Sequence, residues 1–191
     1  MKRFNRFYGA FLIVFLTAVS AFSQENEPKL DAPYIQSSPG AIRTMFRLAK
    51  TTKRDVVYDL GCGDGRIVLA AAKQDGVRAV GIDIDPERIK EARANARRAG
   101  VAHKVKFIQA DLFKSDFREA TIVTLYLLPE VNLKLRPILL EQLKPGARIL
   151  SNAFSMGDWK PEQSVETAGT IVHLWTVPKK KLTTITPGNG K

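Results

Sequence analysis

The stretch Asp55-Val-Val-Tyr-Asp-Leu-Gly-Cys-Gly-Asp-Gly-Arg66 constrains this chain more than any other. Val56, Val57, Tyr58 and Leu60 form a short run of β-formers, and glycines follow at alternate positions 61, 63 and 65. From Ile67 to Ala72 the residues are good helix formers, with no Gly or Pro before Gly76. A strand that passes through Gly-x-Gly into a helix brings backbone close to a ligand and presents N–H groups at the helix start. The stretch therefore predicts an α/β fold with a ligand loop at the end of its first strand.

The acids in the loop select the ligand. The dinucleotide fingerprint, G-x-G-x-x-G, seats a pyrophosphate on unobstructed backbone N–H groups. Here Asp59 precedes the glycines and Asp64 lies among them. Two carboxylates repel a pyrophosphate but attract a ligand that carries an ammonium and a sulfonium. The run D-L-G-C-G-D-G-R resembles motif I of the class I, Rossmann-like methyltransferases, which implies S-adenosyl-L-methionine as cofactor. The same resemblance implies a seven-stranded, mostly parallel sheet with helices on both faces and a C-terminal antiparallel hairpin.

The rest of the chain supports that architecture. Ser38-Pro39 reads as a helix cap followed by Pro at the first helical position, ahead of an apolar stripe through Ile42, Met45, Phe46 and Leu48. Strands are expected at 77–84, 105–108, 120–126 and 147–154, with helices at 86–99 and 130–143 between them. Strands alternating with helices imply βαβ crossovers and a parallel sheet. The segments 163–167 and 170–177, separated by Ala168-Gly169, read as an antiparallel hairpin at the sheet edge.

In an open parallel sheet the ligand lies across the carboxyl ends of the strands, where strand order reverses. Asp83 ends the second strand, placed to accept ribose hydroxyls, and Asp111 follows the third, where the methyltransferase pattern puts an adenine contact. Taken alone, Asp83 reads equally as part of a helix cap and Asp111 as a turn residue. Ile84 and Leu112 are apolar neighbours suited to sandwich an adenine ring. The expected cofactor set is thus Asp59, Gly61, Gly63, Asp64, Gly65, Asp83, Ile84, Asp111 and Leu112. His103 and His173 lack metal-ligand spacing, so no metal is expected, and Cys62 is read as a small loop residue.

A narrower resemblance covers residues 33–177. Pro33-Tyr-Ile-Gln-Ser-Ser-Pro39, the glycine loop and Leu128-Pro-Glu-Val131 are similar to the small membrane-anchored lysine methyltransferases of mitochondrial carrier and ATP-synthase ring subunits, and to their bacterial relatives. This implies a protein lysine as acceptor, with Tyr34, Ser37 and Ser38 closing over the methionine end of the cofactor. It also implies Tyr126 and Glu130 beside the lysine channel as the catalytic pair, and Phe154 and Trp159 as its aromatic wall, for which ordinary core packing is the alternative. The Asn/Asp-Pro-Pro-Tyr motif of amino-group methylases of DNA and glutamine is replaced by Thr124-Leu-Tyr-Leu-Leu-Pro-Glu130, which counts against nucleobase amines. The sequence leaves open a small-molecule or lipid-associated acceptor, or an exported binding module that retains the fold without catalysis.

Composition adds the cellular context. Residues 1–23 place Lys2, Arg3 and Arg6 before an apolar run at 7–22, the pattern of a secretory signal or short membrane anchor. As a helix that run would extend about 24 Å, short of a hydrocarbon core of about 30 Å. A polar linker at 24–36, a catalytic domain at 37–177 and a basic tail at 178–191 complete the expected organisation. The cations before the run put the domain on the outer side, whereas the cofactor is cytoplasmic. Net charge is +11, much of it at 88–106 and in Lys179-Lys-Lys181. Such a surface suits acidic partners, but no aromatics interleave with the cations, which disfavours nucleic acid.

Overall fold

The computed structural model describes residues 35–74 and 77–179. The leader, Tyr34, most of the linker and most of the tail lie outside the described residues. Within them the order is α1 (Pro39–Ala49), β1 (Val56–Leu60), α2 (Arg66–Gln74), β2 (Arg78–Asp83), α3 (Pro86–Arg98), β3 (Val105–Gln109) and a single 3-10 turn (Leu112–Lys114). Then come β4 (Ile122–Leu125), α4 (Pro129–Gln142), β5 (Arg148–Asn152), β6 (Gln163–Thr167) and β7 (Thr170–Thr176).

The strands form one sheet in the order β3-β2-β1-β4-β5-β7-β6. The first five are parallel, and β7 runs antiparallel to both β5 and β6. Every residue of β1 is buried, as expected for a central strand covered on both faces. Strand order reverses between β1 and β4, which sets the ligand crevice at their carboxyl ends.

Two cores sandwich the sheet. On one face, Ala41, Met45 and Phe46 of α1, Ile67 and Val68 of α2 and Ile89 of α3 pack on Val57, Ala79 and Ile122. On the other, Val131, Leu135 and Leu139 of α4 pack on Tyr58, Val123 and Ile149, together with Trp175. The Ser38 hydroxyl caps α1 by accepting the Ala41 N–H at 3.2 Å. At the opposite end, the Arg148 guanidinium donates to the Ala49 carbonyl and to the buried Asp55 carboxylate, tying the end of α1 to the starts of β1 and β5.

Candidate active site

The glycine loop is stapled to the next strand. The N–H groups of Gly61 and Cys62 donate to the Ile82 carbonyl at 2.8 and 3.0 Å. Gly63 N–H donates to Asp83 Oδ2 at 2.8 Å, and Asp83 Oδ1 accepts the Asp85 N–H at 3.0 Å. From the far side, the Asn95 amide donates to the Asp64 carbonyl at 2.9 Å. Gly65 has φ +80°, and a Cβ there would lie 2.7 Å from the Phe107 ring, so only glycine fits without displacement.

A cleft opens at the carboxyl ends of β1, β2 and β4, enclosing about 960 Å³ when the space open to solvent is included. Asp59, Asp64, Asp83 and Asp111 give it an acidic side, and Ile84, Leu112, Phe113 and Leu127 an apolar one. The Asp59 carboxyl is pushed up to about 7, first by burial and then by repulsion from Asp83 and Asp64, against the Thr124 hydroxyl bonded to it at 2.7 Å. This accumulation of carboxylates is relieved by a cation in the cleft and aggravated by an anion. It suits a sulfonium and an ammonium, so these residues fit S-adenosylmethionine.

Asp64 carries less of that charge than the sequence suggests. Arg66 grips its carboxylate in a fork, Nε to Oδ1 at 3.0 Å and Nη2 to Oδ2 at 2.7 Å. Arg66 Nη1 reaches across to the Ser37 carbonyl at 3.3 Å, and the Ser37 hydroxyl accepts from the Asn152 amide at 3.2 Å. Thr170 Oγ1 donates to Asn152 Oδ1 at 2.7 Å, which fixes that amide. The segment at 35–37 is therefore held over the cleft between the glycine loop and β5. The cleft wall carries a paired anion and cation, the complement of an amino-acid zwitterion.

The structure gathers most of the expected site residues. Asp59, Gly61, Asp64, Asp83, Ile84, Asp111, Leu112 and Tyr126 all line the cleft. Gly63 and Gly65 shape the loop beneath it. Asp83 does more than the sequence suggests: each oxygen already accepts one N–H, and each retains a second lone pair for a ligand hydroxyl. Asp111 is both lining and turn residue, since Oδ1 accepts the Phe113 N–H at 2.9 Å. Ser38 is apart from the lining, its hydroxyl committed to the helix cap. Arg66, Phe113, Leu127 and Val131 join the lining although nothing in the sequence singles them out as site residues. For Leu127 the missed signal is Gly61, where a Cβ would lie 2.7 Å from the leucine side chain.

On the acceptor side, Tyr126 and Phe154 face each other with ring centroids 6.3 Å apart. Asn132, fully buried on α4, directs Nδ2 towards the carbonyls of Phe154 and Ser155 at 3.5 and 3.4 Å, holding the loop that carries Phe154. Glu130 is exposed on the first turn of α4 and outside the cleft lining. Trp159 packs against Trp175, centroids 6.1 Å apart, and its carbonyl accepts the Trp175 indole N–H at 2.7 Å. That is the core-packing alternative.

A carboxylate-lined cleft at the switch point of a seven-stranded sheet of this order defines a class I S-adenosylmethionine-dependent methyltransferase. Residues 59–163 match the family model described as the ANTKMT methyltransferase domain, and the chain belongs to that family. It is 43% identical to a protein-lysine N-methyltransferase of Saccharolobus islandicus, over 70% of this chain and 84% of that protein. It is 30% identical to an ATP synthase lysine N-methyltransferase of Xenopus laevis, over 81% and 67% of the respective lengths. Against the adenine nucleotide translocase lysine N-methyltransferase of Mus musculus the figures are 37%, 70% and 58%. Among solved structures, an RNA methyltransferase from Salinibacter ruber in complex with S-adenosyl-L-homocysteine is 52% identical, with a TM-score of 0.75 over 76% of this chain and 95% of that one.

Proposed function

We propose that this protein transfers a methyl group from S-adenosylmethionine to the side-chain amine of a protein lysine. The observation that carries the reading is the concentration of Asp59, Asp64 and Asp83 around a glycine loop, in a chain whose relatives are protein-lysine methyltransferases. The cofactor supplies an electrophilic methyl on a sulfonium. The chain's own residues bind it, align the incoming amine and exclude water. Asp83 and the loop N–H groups hold its position, Ile84 and Leu112 cover its flat apolar part, and the segment at 35–37 closes the opposite side.

A lysine amine has an ordinary pKa near 10.4, so it must lose its proton to become nucleophilic. The facing rings of Tyr126 and Phe154 make an apolar passage that disfavours the ammonium form. Glu130, at the exposed start of α4, orients the arriving cation at the mouth while bulk water takes the proton. Glu130→Gln is expected to slow turnover with cofactor affinity unchanged.

The printed name of the Salinibacter ruber structure supports a second reading, an RNA acceptor, as does the basic charge. Labelling cell fractions with methyl-tritiated cofactor, in an intact strain and a deletion, separates the two. Protease-sensitive label recovered as methyl-lysine supports the first reading, and nuclease-sensitive label overturns it. The leader at 1–23 is proposed as a signal or short anchor ahead of a methyltransferase domain at 37–177. Among the described residues no helix is long and apolar enough to cross a membrane, so this proposal rests on the leader's sequence.

A further inference from the structure

The molecule's charge is divided between its two ends. Acids gather at the cleft, where the parallel strands finish. At the other end, where those strands begin and α1, α2 and α3 finish, the exposed residues are Lys50 and Lys73 at two helix ends, Lys53 and Arg54 before β1, Arg97 at the end of α3 and Lys104 before β3. None of these six makes an ion pair with a described residue. The acids at this end are largely spent elsewhere: Asp55 on Arg148, Asp116 on Arg118 and Glu119 on Arg78. Hydrogen bonds join the pieces into one surface, from the Ala79 N–H to the Lys104 carbonyl and from Arg148 to the end of α1.

Part of this pattern has a local cause. Cations near helix ends offset the negative end of the helix dipole, which accounts for Lys50, Lys73 and Arg97. It does not account for Lys53, Arg54 and Lys104, which lie in turns outside the helices. No aromatic ring stands among the six to stack on a base. A repeated, unshaped array of cations matches a partner whose negative charge is likewise repeated and unshaped.

We propose that this basic end docks on the anionic headgroups of a lipid bilayer, leaving the cleft turned away from the membrane. The chain outside the described residues favours a bilayer over other polyanions. The apolar run at 7–22 ends 12 residues before Ile35, and an extended chain of that length spans about 40 Å, enough to pass the domain from either end. Whenever that run enters a bilayer, the basic end is confined within reach of headgroups. Weak attraction per cation then suffices to set orientation.

The test uses the full chain with a fluorophore on an introduced cysteine, since Cys62 is buried. Ala102→Cys reports the basic end and Glu87→Cys the cleft end, on vesicles of phosphatidylcholine with or without phosphatidylglycerol and with a quencher in the headgroups. Expected is quenching at 102 only, on anionic vesicles only, reversed by salt. Glutamate at Lys53, Arg54 and Lys104 together should reduce it more than about tenfold with an unchanged melting temperature, because these positions cap no helix. Equal quenching at both sites, quenching on neutral vesicles, or retention on RNA without vesicle docking overturns the proposal. Cofactor affinity measured on the same glutamate variant stays at the wild-type value, so docking and the methyltransferase reading fail separately.

Discussion

Asp59 sets a pH dependence that belongs to a single residue. Its carboxyl sits at about 7 in the folded protein, against about 4 for an ordinary aspartate. The folded state therefore holds this proton more tightly than the unfolded chain. The resulting stability is complete below about pH 4 and is lost as pH rises to about 7. Asp59→Asn removes the dependence, so its urea midpoint should gain on the wild type across that interval. A cationic ligand pulls the carboxyl back down, so cofactor binding near pH 6 to 7 should release a proton. Calorimetry in two buffers of different ionisation enthalpy reads this directly, and a buffer-independent heat would refute it. Arg66 carries a second expectation at this scale. If its bridge to Asp64 recognises the amino-acid end of the cofactor, Arg66→Gln should weaken S-adenosylhomocysteine by tenfold or more, or about 1.5 kcal/mol. Affinity for 5′-methylthioadenosine, which lacks that end, should change little. Equal losses for both ligands would mean that Arg66 only supports the loop.

At the scale of elements, the loop between β1 and α2 is the least replaceable piece. Gly65→Ala meets both a left-handed backbone and the Phe107 ring, and should cost about 2 kcal/mol or more. Gly100 has φ +70° with nothing within 4 Å of a built Cβ, so Gly100→Ala carries the backbone strain alone. The difference between their urea midpoints isolates the collision with Phe107. Much of this architecture is legible in the sequence, because each element announces itself locally. Ser38-Pro39 and Asp85-Pro86 mark helix starts, and the hairpin arms flank Ala168-Gly169. The strands expected at 120–126 and 147–154 are shorter in the structure, since pairing stops at Leu125 and Asn152. The 3-10 turn at Leu112–Lys114 is too short to show a period. At the site, the strand-end carboxylates are legible because β-strand ends are fixed by local pattern. The Arg66 fork is hidden because a side chain's choice of partner leaves no periodic trace. Leu127 and Val131 are hidden because their placement depends on how α4 crosses the sheet.

For the whole molecule, the leader and the intracellular cofactor make opposing demands. Full-length protein is expected in the membrane fraction or exported, and a reporter fused at Lys191 tells which side its end faces. Uncleaved protein found entirely in the soluble cytoplasm would show that residues 1–23 do not work as a signal.

Helix α1, near the start of the chain, rests on strands near its end. Thr44 bonds to Thr167 at 3.2 Å, and Ala41 to Ala49 share a core with Val172 and Leu174. On a ribosome this helix is made long before its support exists. The segment at 35–37 is held through Asn152 and Thr170, so it too waits for the last strands. The nascent chain thus presents its leader ahead of a domain that cannot close until synthesis is nearly complete, a delay that keeps it threadable for export.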